Sequence, residues 1–497
     1  MTDQDRAPTG PVTASVASST AWNILQYGGG KAVTLVSTVI LARLLAPESF
    51  GLVASAVLAV SVFDRFKDLG VGPALVQNQR DWDDLAPTGL TLTVASSFAF
   101  GGLSLLLAPQ LAAFLGNDAL TPIIRGLAVS LLISGFAVFP DSALRRYLRF
   151  REKVVPELSG ILVKAILSVG LALQGFGAWS LVWGQLGASV TTTTAYWIVY
   201  SRATHDAPHF GWKPEVSRRL LSFGGWMSGL AIMSVFLDNL DYFVIGRRLG
   251  AVELGYYTMG FRLPELVVLG TCLVIGQVLF SSFSRQFADQ EEMASTYRRA
   301  TELVTALTVP AGLGLSAAAK PIVLLMLGAA YEPSVGVLRI LGVYSAVFSI
   351  SFMTGEVFKS LGKTAMMIRL ATAQLTVMIP IFWLAAGHSI FAVAGAFLAV
   401  GTGNTLIRLT LVQRYLRMSL ARQLTLLAPA VSSGIIMWLA VLAVDTGLAS
   451  TPLWVRLVAA VATGVVCYAA FLRLTGPAVF ARLAGFVLRR GGSRSFT

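Results

Sequence analysis

The chain has 497 residues, of which 55% are hydrophobic and only 13% are charged. Soluble domains carry about 25% charged residues, so this composition argues against a soluble enzyme. The net charge of +13 does not require a nucleic-acid partner, because membrane proteins concentrate Lys and Arg in their cytoplasmic loops. The two cysteines, Cys272 and Cys467, lie within apolar segments, and the three histidines, His205, His209 and His388, are scattered along the chain. This pattern predicts no disulfide framework, no metal site and no resident cofactor.

Apolar segments about 20 residues long recur along the chain, which is the length needed to cross a bilayer. Residues 1–19 are polar and lack the features of a cleaved signal peptide, so they predict a cytoplasmic tail. Fourteen spans are predicted, at 20–46, 50–77, 86–115, 119–144, 154–175, 177–200, 217–246, 251–283, 296–327, 333–359, 364–387, 389–414, 422–445 and 453–474. So many spans leave no room for a soluble domain.

The connections between these spans alternate in charge. Those that follow even-numbered spans are rich in Lys and Arg, as in RRYLRFREK at 145–153, whereas those after odd-numbered spans are short and nearly uncharged. Positive loops face the cytoplasm, so we expect a multi-pass inner-membrane protein with both termini inside. The exception is Arg247 and Arg248, which follow span seven.

An internal repeat is predicted at an offset of 204 residues. VILARLLAPESFGL at 39–52 aligns with FVIGRRLGAVELGY at 243–256, so that Arg43 falls on Arg247 and Gly51 on Gly255. Six spans separate the two copies, and an even number gives parallel repeats flanking a central cavity. The alternative is a span-turn-span pattern that arose twice through composition.

The repeat divides the chain into predicted regions. They are an N-lobe, an inter-lobe cytoplasmic linker, a C-lobe, two extra helices and a basic amphipathic tail, at 20–200, 201–216, 217–417, 418–475 and 476–497. The fold class is therefore all-α: a polytopic membrane protein with two parallel-repeat six-helix lobes plus two further helices. In the tail, Val479 and Leu483 lie opposite Arg482, which predicts an interfacial amphipathic helix or, alternatively, a disordered basic segment.

Two passages resemble a known family. They are ILARLLAPESFGLVA with DLGVGPALVQ, and LDNLDYFVIGRRLGAVELGYYTMGFRLPEL. These resemble the Wzx-type polysaccharide flippases of the multidrug/oligosaccharidyl-lipid/polysaccharide superfamily, from about residue 20 to residue 415. The resemblance implies alternating access and a polyprenyl-diphosphate-linked oligosaccharide as substrate, with membrane lipid, a polysaccharide polymerase and glycosyltransferases as further partners. Lipid II flippases and drug/cation antiporters share the superfamily and remain open.

A charged side chain inside a membrane span costs free energy, so each one is a candidate for a functional role. Lys31 lies on one helical face with Asn23, Tyr27, Thr34 and Thr38, so this face is expected to line a wet cavity where Lys31 attracts a diphosphate. The alternative is that Lys31 pairs with a neighbouring carboxylate or contacts only water. Arg262 is expected to bind phosphate bidentately or to pair with Glu265 across Pro264. The remaining cations predicted to bind substrate are Arg125, Lys164 and Arg408; Arg408 has snorkelling to the inner surface as its alternative.

Carboxylates inside spans are candidates for coupling or gating. Asp238 and Asp241 share one face of span seven, where mutual repulsion favours protonation of one of them and suits H⁺ or Na⁺ coupling. Pairing with a cation, or a position near the outer interface, is the alternative. Glu265 and Glu356 are further candidates. Span two ends with Asp64 and Asp68 beside Arg65 and Lys67, which is either a gate network or a solvated span end.

Cations outnumber carboxylates among the deep positions, which favours an anionic substrate. No Walker motif (GxxxxGK[ST]) is present. A polysaccharide polymerase or ligase would be expected to carry a long outer loop, and an antiporter several deep carboxylates without cations. Neither pattern is present, although a non-transporting scaffold remains compatible with the sequence. We therefore expect a flippase rather than an enzyme.

Overall fold

The computed structural model describes residues 12–67, 69–77, 82–204, 208–276 and 290–488. Across these ranges the chain is helical and contains no strand. The helices are α1 Val12–Leu44, α2 Pro47–Lys67, α3 Val71–Gln77, α4 Trp82–Leu106, α5 Ala108–Leu115, α6 Leu120–Arg146, α7 Val154–Leu173, α8 Ala178–Thr204, α9 Pro214–Arg248, α10 Ala251–Gly276, α11 Gln290–Ala317, α12 Ala319–Met326, α13 Ser334–Ser360, α14 Thr364–Ala385, α15 Ile390–Leu416, α16 Leu420–Gly447, α17 Leu453–Thr475 and α18 Pro477–Leu488.

Eleven helical segments in the described ranges are long and apolar enough to cross a membrane. Three further helices of membrane-spanning length, α1, α8 and α9, complete a set of fourteen helices with 20 or more residues in those ranges. The prediction of a polytopic all-α membrane protein is confirmed. The count of fourteen spans stays a prediction for these three helices.

Two predicted spans are interrupted near their ends by a proline. The predicted span 86–115 divides into α4 and α5, and the predicted span 296–327 divides into α11 and α12. Pro109 and Pro321 lie in the first turns of the short helices α5 and α12. Proline lacks an N–H, so it is tolerated in a first turn, where no helical hydrogen bond is lost. Each proline therefore marks a new helix and not the middle of an old one.

The predicted span 50–77 is also interrupted. Helix α2 ends at Lys67, and Leu69 and Gly70 follow with φ values of 45° and 66° before α3 begins. This left-handed backbone suits glycine but is unfavourable for leucine. The chain therefore makes a tight turn here, which apolar content alone does not reveal.

The chain divides into two compact units, Met1–Phe236 and Leu237–Thr497. With the short helix α3 left aside, the helix order α1–α2–α4–α5–α6–α7–α8 recurs as α9–α10–α11–α12–α13–α14–α15. Paired helices match in length: α6 and α13 have 27 residues each, and α5 and α12 have 8 each. Helices α1 and α9 end at Leu44 and Arg248, which agrees with the predicted offset. The predicted repeat is present, and α16 and α17 follow it.

The division between the compact units falls inside α9, whereas the predicted linker occupies 201–216. Part of that linker is held against the first unit. Thr91 Oγ1 accepts from Gly211 N at 3.1 Å and donates to Gly211 O at 2.8 Å, and Lys213 Nζ lies 2.6 Å from Asp84 Oδ1. The exact boundary between the lobes stays a prediction.

The exception to the charge alternation has a local explanation. Arg248 Nη1 donates to the carbonyl oxygen of Trp383 at 2.6 Å, and its guanidinium carbon lies 4.8 Å from the centre of the Trp383 ring. Trp383 is in the last turn of α14, where carbonyl groups lack helical partners and a cation is favourable. The Arg248 guanidinium therefore binds the carboxyl end of α14. Which side of the membrane it faces stays a prediction.

The tail forms a helix, α18, that packs on the second unit. Val479 is buried in a cluster with Ala306, Ala430 and Leu472, and Arg482 Nη2 lies 2.8 Å from Glu302 Oε1. The prediction of an amphipathic helix is met over Pro477–Leu488, but part of its apolar face contacts protein rather than lipid. The arginines predicted beyond Leu488 lie outside the described residues.

Candidate substrate and coupling sites

Lys31 lies on α1 in the first unit and is half-buried. The predicted polar face is present around it, since Thr34 Oγ1 donates to Gly30 O at 2.8 Å and Thr38 Oγ1 donates to Thr34 O at 2.7 Å. These hydroxyl groups are satisfied by their own helix. The side chains of Asn23 and Tyr27 lie outside the described residues, so three of the five residues of the predicted face are defined.

Arg262 is paired within its own helix. Its Nη1 lies 3.0 Å from Glu265 Oε2, and both side chains are partly exposed. The pair stands where α10 changes into a π-helical turn at Glu265–Leu269, directly after Pro264. The predicted loosening of the helix at this proline thus takes the form of a π turn, a feature often found at functional sites. Of the two alternatives for Arg262, the pairing with Glu265 is the one observed.

Arg125 and Lys164 are exposed within the first unit. Arg125 is the sixth residue of α6, near the beginning of that helix. Lys164 Nζ donates to Gln185 Oε1 at 2.7 Å, which joins α7 to α8. Neither cation is enclosed by its own unit, so their role in substrate binding stays a prediction.

Arg408 is half-buried on α15 in the second unit. Its Nε is enclosed and has no hydrogen-bond partner within the part of the chain that the structure describes. Among the five predicted substrate cations, Arg408 alone combines an enclosed guanidinium nitrogen with the absence of an ion pair to a described carboxylate.

Asp241 is buried, with 1% of its surface exposed, on α9 in the second unit. Tyr257 donates its hydroxyl hydrogen to Asp241 Oδ2 at 2.9 Å, whereas Oδ1 is enclosed without a partner in the described ranges. No described cation forms an ion pair with Asp241, so the predicted alternative of cation pairing is not observed for it. Asp238, one turn earlier, is exposed, and the two carboxylates therefore have unequal surroundings.

The remaining carboxylates predicted to couple or gate are mostly paired locally. Glu356 Oε1 lies 2.8 Å from Lys359 Nζ one turn along α13. Asp64 Oδ1 lies 2.7 Å from Lys67 Nζ, and that amine also donates to Ser134 Oγ of α6 at 2.6 Å. Asp68 lies outside the described residues. The α2 end is therefore anchored to a neighbouring helix by Lys67.

Two features escaped sequence reasoning. Tyr257 supplies the hydroxyl group to Asp241 from 16 residues away, and nothing in the local sequence marks it as a partner. Lys153 is buried with its Nζ 2.7 Å from Asp141 Oδ1 and 3.7 Å from Glu157 Oε1. The charged loop containing Lys153 was assigned to topology alone. In the described residues no cluster of His, Cys, Asp and Glu could hold a metal ion.

Comparisons with known proteins place this chain among polysaccharide export proteins. Residues 40–336 match the family described as polysaccharide biosynthesis protein. The chain is 29% identical over 342 residues to the succinoglycan biosynthesis transport protein ExoT of Rhizobium meliloti (strain 1021), covering 67% of each chain. It is 23% identical over 322 residues to the lipopolysaccharide biosynthesis protein WzxC of Escherichia coli (strain K12), covering 65% of each chain.

The fold is similar to that of a solved membrane transporter. The lipid II flippase MurJ in its inward closed conformation superposes with a TM-score of 0.76 at 13% identity, covering 92% of this chain and 99% of that chain. This likeness concerns the fold alone. The sequence match over residues 40–336, more than half of the chain, shows that this protein belongs to the polysaccharide biosynthesis protein family, as the resemblance to Wzx-type flippases predicted.

Proposed function

We propose that this protein is a flippase that moves a polyprenyl-diphosphate-linked oligosaccharide across the bacterial inner membrane by alternating access. The observation that carries the proposal is the family match, together with relatives named for succinoglycan transport and lipopolysaccharide biosynthesis. The apolar helices support a multi-pass membrane protein, and the charge alternation supports cytoplasmic termini.

The lengths of the connections support transport rather than catalysis. The connections that the charge pattern assigns to the outside hold at most a few residues between one helix and the next, at 116–119, 174–177, 249–250, 327–333, 386–389 and 448–452. A membrane-embedded polymerase or ligase would be expected to present catalytic groups on a long outer loop. Glycosyltransferases would supply the substrate, and a polymerase would use the exported product.

The substrate carries a diphosphate, so cations are expected to contact it. Lys31 remains a candidate in the first unit because it is half-buried on a helix face rich in hydroxyl groups. Arg262 is a weaker candidate, since Glu265 already neutralises it at 3.0 Å. The oligosaccharide head group would cross in a wet environment while the polyprenyl tail stays in lipid.

Coupling to protons is proposed at Asp241. A buried carboxylate that receives one hydrogen bond and has no cation partner is unfavourable when ionised. Protonation would remove the charge and give Oδ1 a hydrogen to donate. Tyr257 provides one oxygen at 2.9 Å, whereas a bound Na⁺ would need several. These surroundings support H⁺ in preference to Na⁺ as the coupling ion.

The test is to delete the gene and to analyse the lipid-linked oligosaccharides by mass spectrometry. We expect a completed lipid-linked oligosaccharide to accumulate on the cytoplasmic side while the surface polymer disappears, and the wild-type chain to reverse both changes. A strain that keeps its surface polymer and accumulates no such lipid would contradict the proposed function. Complementation with Lys31→Ala at equal protein levels then tests whether Lys31 takes part, because full recovery would exclude that residue.

A further inference from the structure

Helix α15 carries a polar face that points into the second unit. Asn404 and Thr405 lie four and three residues before Arg408, respectively, so all three share one side of the helix. Asn404 Nδ2 donates to Gln374 Oε1 of α14 at 3.0 Å, and Ser351 Oγ of α13 donates to Thr405 Oγ1 at 3.3 Å. Arg408 continues this face toward α13, where it faces Gly355.

The guanidinium group of Arg408 has no carboxylate counter-charge among the described residues. Its Nε is enclosed without an acceptor, and no carboxylate of the described residues forms an ion pair with it. Arg456 of the same unit differs, because it is buried and its Nη2 lies 2.7 Å from Asp445 Oδ1.

An unpaired cation in a membrane span costs free energy. A side chain that simply reached the membrane surface would avoid this cost by hydration. The enclosed Nε of Arg408 argues against that explanation, because one face of the guanidinium is held inside the unit. The structure thus retains a cation that an anion would stabilise.

The Nη side of the Arg408 guanidinium faces a glycine of α13. Gly355 of α13 faces Arg408, and a Cβ added there would meet nothing within 4 Å except Arg408 Nη1, at 3.8 Å. Because glycine has no side chain, the Nη side of Arg408 remains open toward α13. Guanidinium groups bind phosphate oxygens bidentately through such an open edge.

We infer that Arg408, opposite Gly355, forms a phosphate-binding subsite within the second unit and contacts the diphosphate of the transported lipid. This inference rests on the proposed function for the identity of the anion. The residue lies beyond the segment 40–336 that matches the family, so family membership does not assign it. The same chemistry would also bind the phosphate of a membrane phospholipid, and the experiment separates the two sources.

Binding is measured on the full chain in phosphatidylcholine nanodiscs, with farnesyl diphosphate as the probe. We expect Arg408→Gln to weaken binding at least about tenfold, the loss typical of a removed hydrogen bond to a charged group. Arg408→Lys should fall between that variant and the wild type, because it keeps the charge but not the bidentate geometry. Arg414→Gln is the matched control, since Arg414 is exposed on the same helix, and it should change binding less than about twofold.

A second variant leaves the arginine in place. Gly355→Leu fills the space beside Nη1, so we expect it to weaken farnesyl diphosphate binding while the protein keeps its elution volume on size exclusion. Unchanged binding in both Arg408→Gln and Gly355→Leu would overturn the subsite. Replacing phosphatidylcholine by phosphatidylglycerol identifies the source of the anion. If Arg408 is needed only for phosphatidylglycerol retention, the site holds a membrane lipid and the substrate assignment is overturned.

Complementation of the deletion strain distinguishes failure of the subsite from failure of the proposed function. We expect the wild-type gene to restore surface polymer, and Arg408→Gln at equal protein levels to leave the lipid-linked oligosaccharide accumulated. Full recovery by Arg408→Gln would overturn the subsite and leave the flippase function standing. Failure of the wild-type gene itself to affect this lipid would instead overturn the flippase function.

Discussion

The two copies of the repeat differ most where their first helices, α1 and α9, align. At the offset of 204 residues, Ser37 corresponds to Asp241, and Thr34 corresponds to Asp238. In α1 the hydroxyl groups bond to their own helix, as Ser37 Oγ does to Thr34 O at 3.0 Å, whereas Asp241 keeps an enclosed oxygen without a partner in the described chain. The two copies share their order of helices, but their first helices differ in chemistry. Hydroxyl groups that bond to their own helix in α1 occupy the positions that carboxylates occupy in α9.

The largest expected effect follows from removing the charge that distinguishes α9. Asp241→Asn should lower proton-driven export of the lipid-linked oligosaccharide at least about tenfold, because coupling free energies are typically 1–3 kcal/mol. The measurement is uptake of labelled substrate into inverted vesicles with and without an imposed pH gradient. Ser37→Ala, the same position in the other copy, should keep its response to the gradient. An Asp241→Asn protein that still responds to pH would remove Asp241 from the coupling mechanism.

An intermediate effect is expected where equivalent helix pairs pack. In the second unit, a Cβ on Gly312 of α11 would lie 2.7 Å from the carbonyl oxygen of Gly342 on α13. In the first unit, a Cβ on Gly101 of α4 would meet the side chain of Leu132 on α6, with Cδ2 at 2.5 Å. Gly312→Ala should therefore lower the free energy of unfolding by about 1–3 kcal/mol. Gly101→Ala should lower it distinctly less, since the Leu132 side chain can change its rotamer and alanine favours the helix.

Thermal unfolding of both variants in detergent measures this difference. Gly102→Ala is the control, because a Cβ at Gly102 meets nothing within 4 Å and alanine should raise the melting temperature slightly. Equal melting temperatures for Gly312→Ala and Gly101→Ala would show that backbone contact does not set the two units apart.

The smallest expected effect concerns the helix terminus capped by Arg248. The corresponding position in the first copy is Leu44, so this cap belongs to the second copy alone. Arg248→Gln removes the cation from the carboxyl end of α14. It should lower the free energy of unfolding by at most about 1 kcal/mol. Arg247→Gln, at an exposed neighbour, is the comparison, and it should shift the melting temperature less. An equal shift for both would mean that the contact with Trp383 contributes nothing measurable.

Hydropathy was sufficient to predict the long helices. The predicted limits 154–175 and 453–474 differ from the observed α7, Val154–Leu173, and α17, Leu453–Thr475, by one or two residues. Such segments are predominantly apolar, and charge or glycine marks their ends. The interruptions before α5 and α12 were missed because they change the path of the backbone without changing its hydropathy; Pro109 and Pro321 were the signals available.

The candidate sites were predictable only as a list of charged residues within spans. Whether a charge is paired depends on tertiary contacts, which spacing reveals only within one helix. The spacing of three between Arg262 and Glu265 allowed the observed pair to be anticipated as an alternative. The hydrogen bond between Tyr257 and Asp241 joins two helices. Arg408 Nε has no hydrogen-bond partner because the described residues of the surrounding helices place no acceptor beside it. Neither is encoded in a local pattern.

The docked helix α18 has a practical consequence for anyone who attaches a reporter to this protein. Val479 is inserted among residues of α11, α16 and α17, and Arg482 meets Glu302, so truncation before Pro477 would uncover an apolar surface and leave a carboxylate unneutralised. Fluorescent fusions and affinity tags should therefore follow Leu488. A shortened version that aggregates would report on this exposed surface rather than on export.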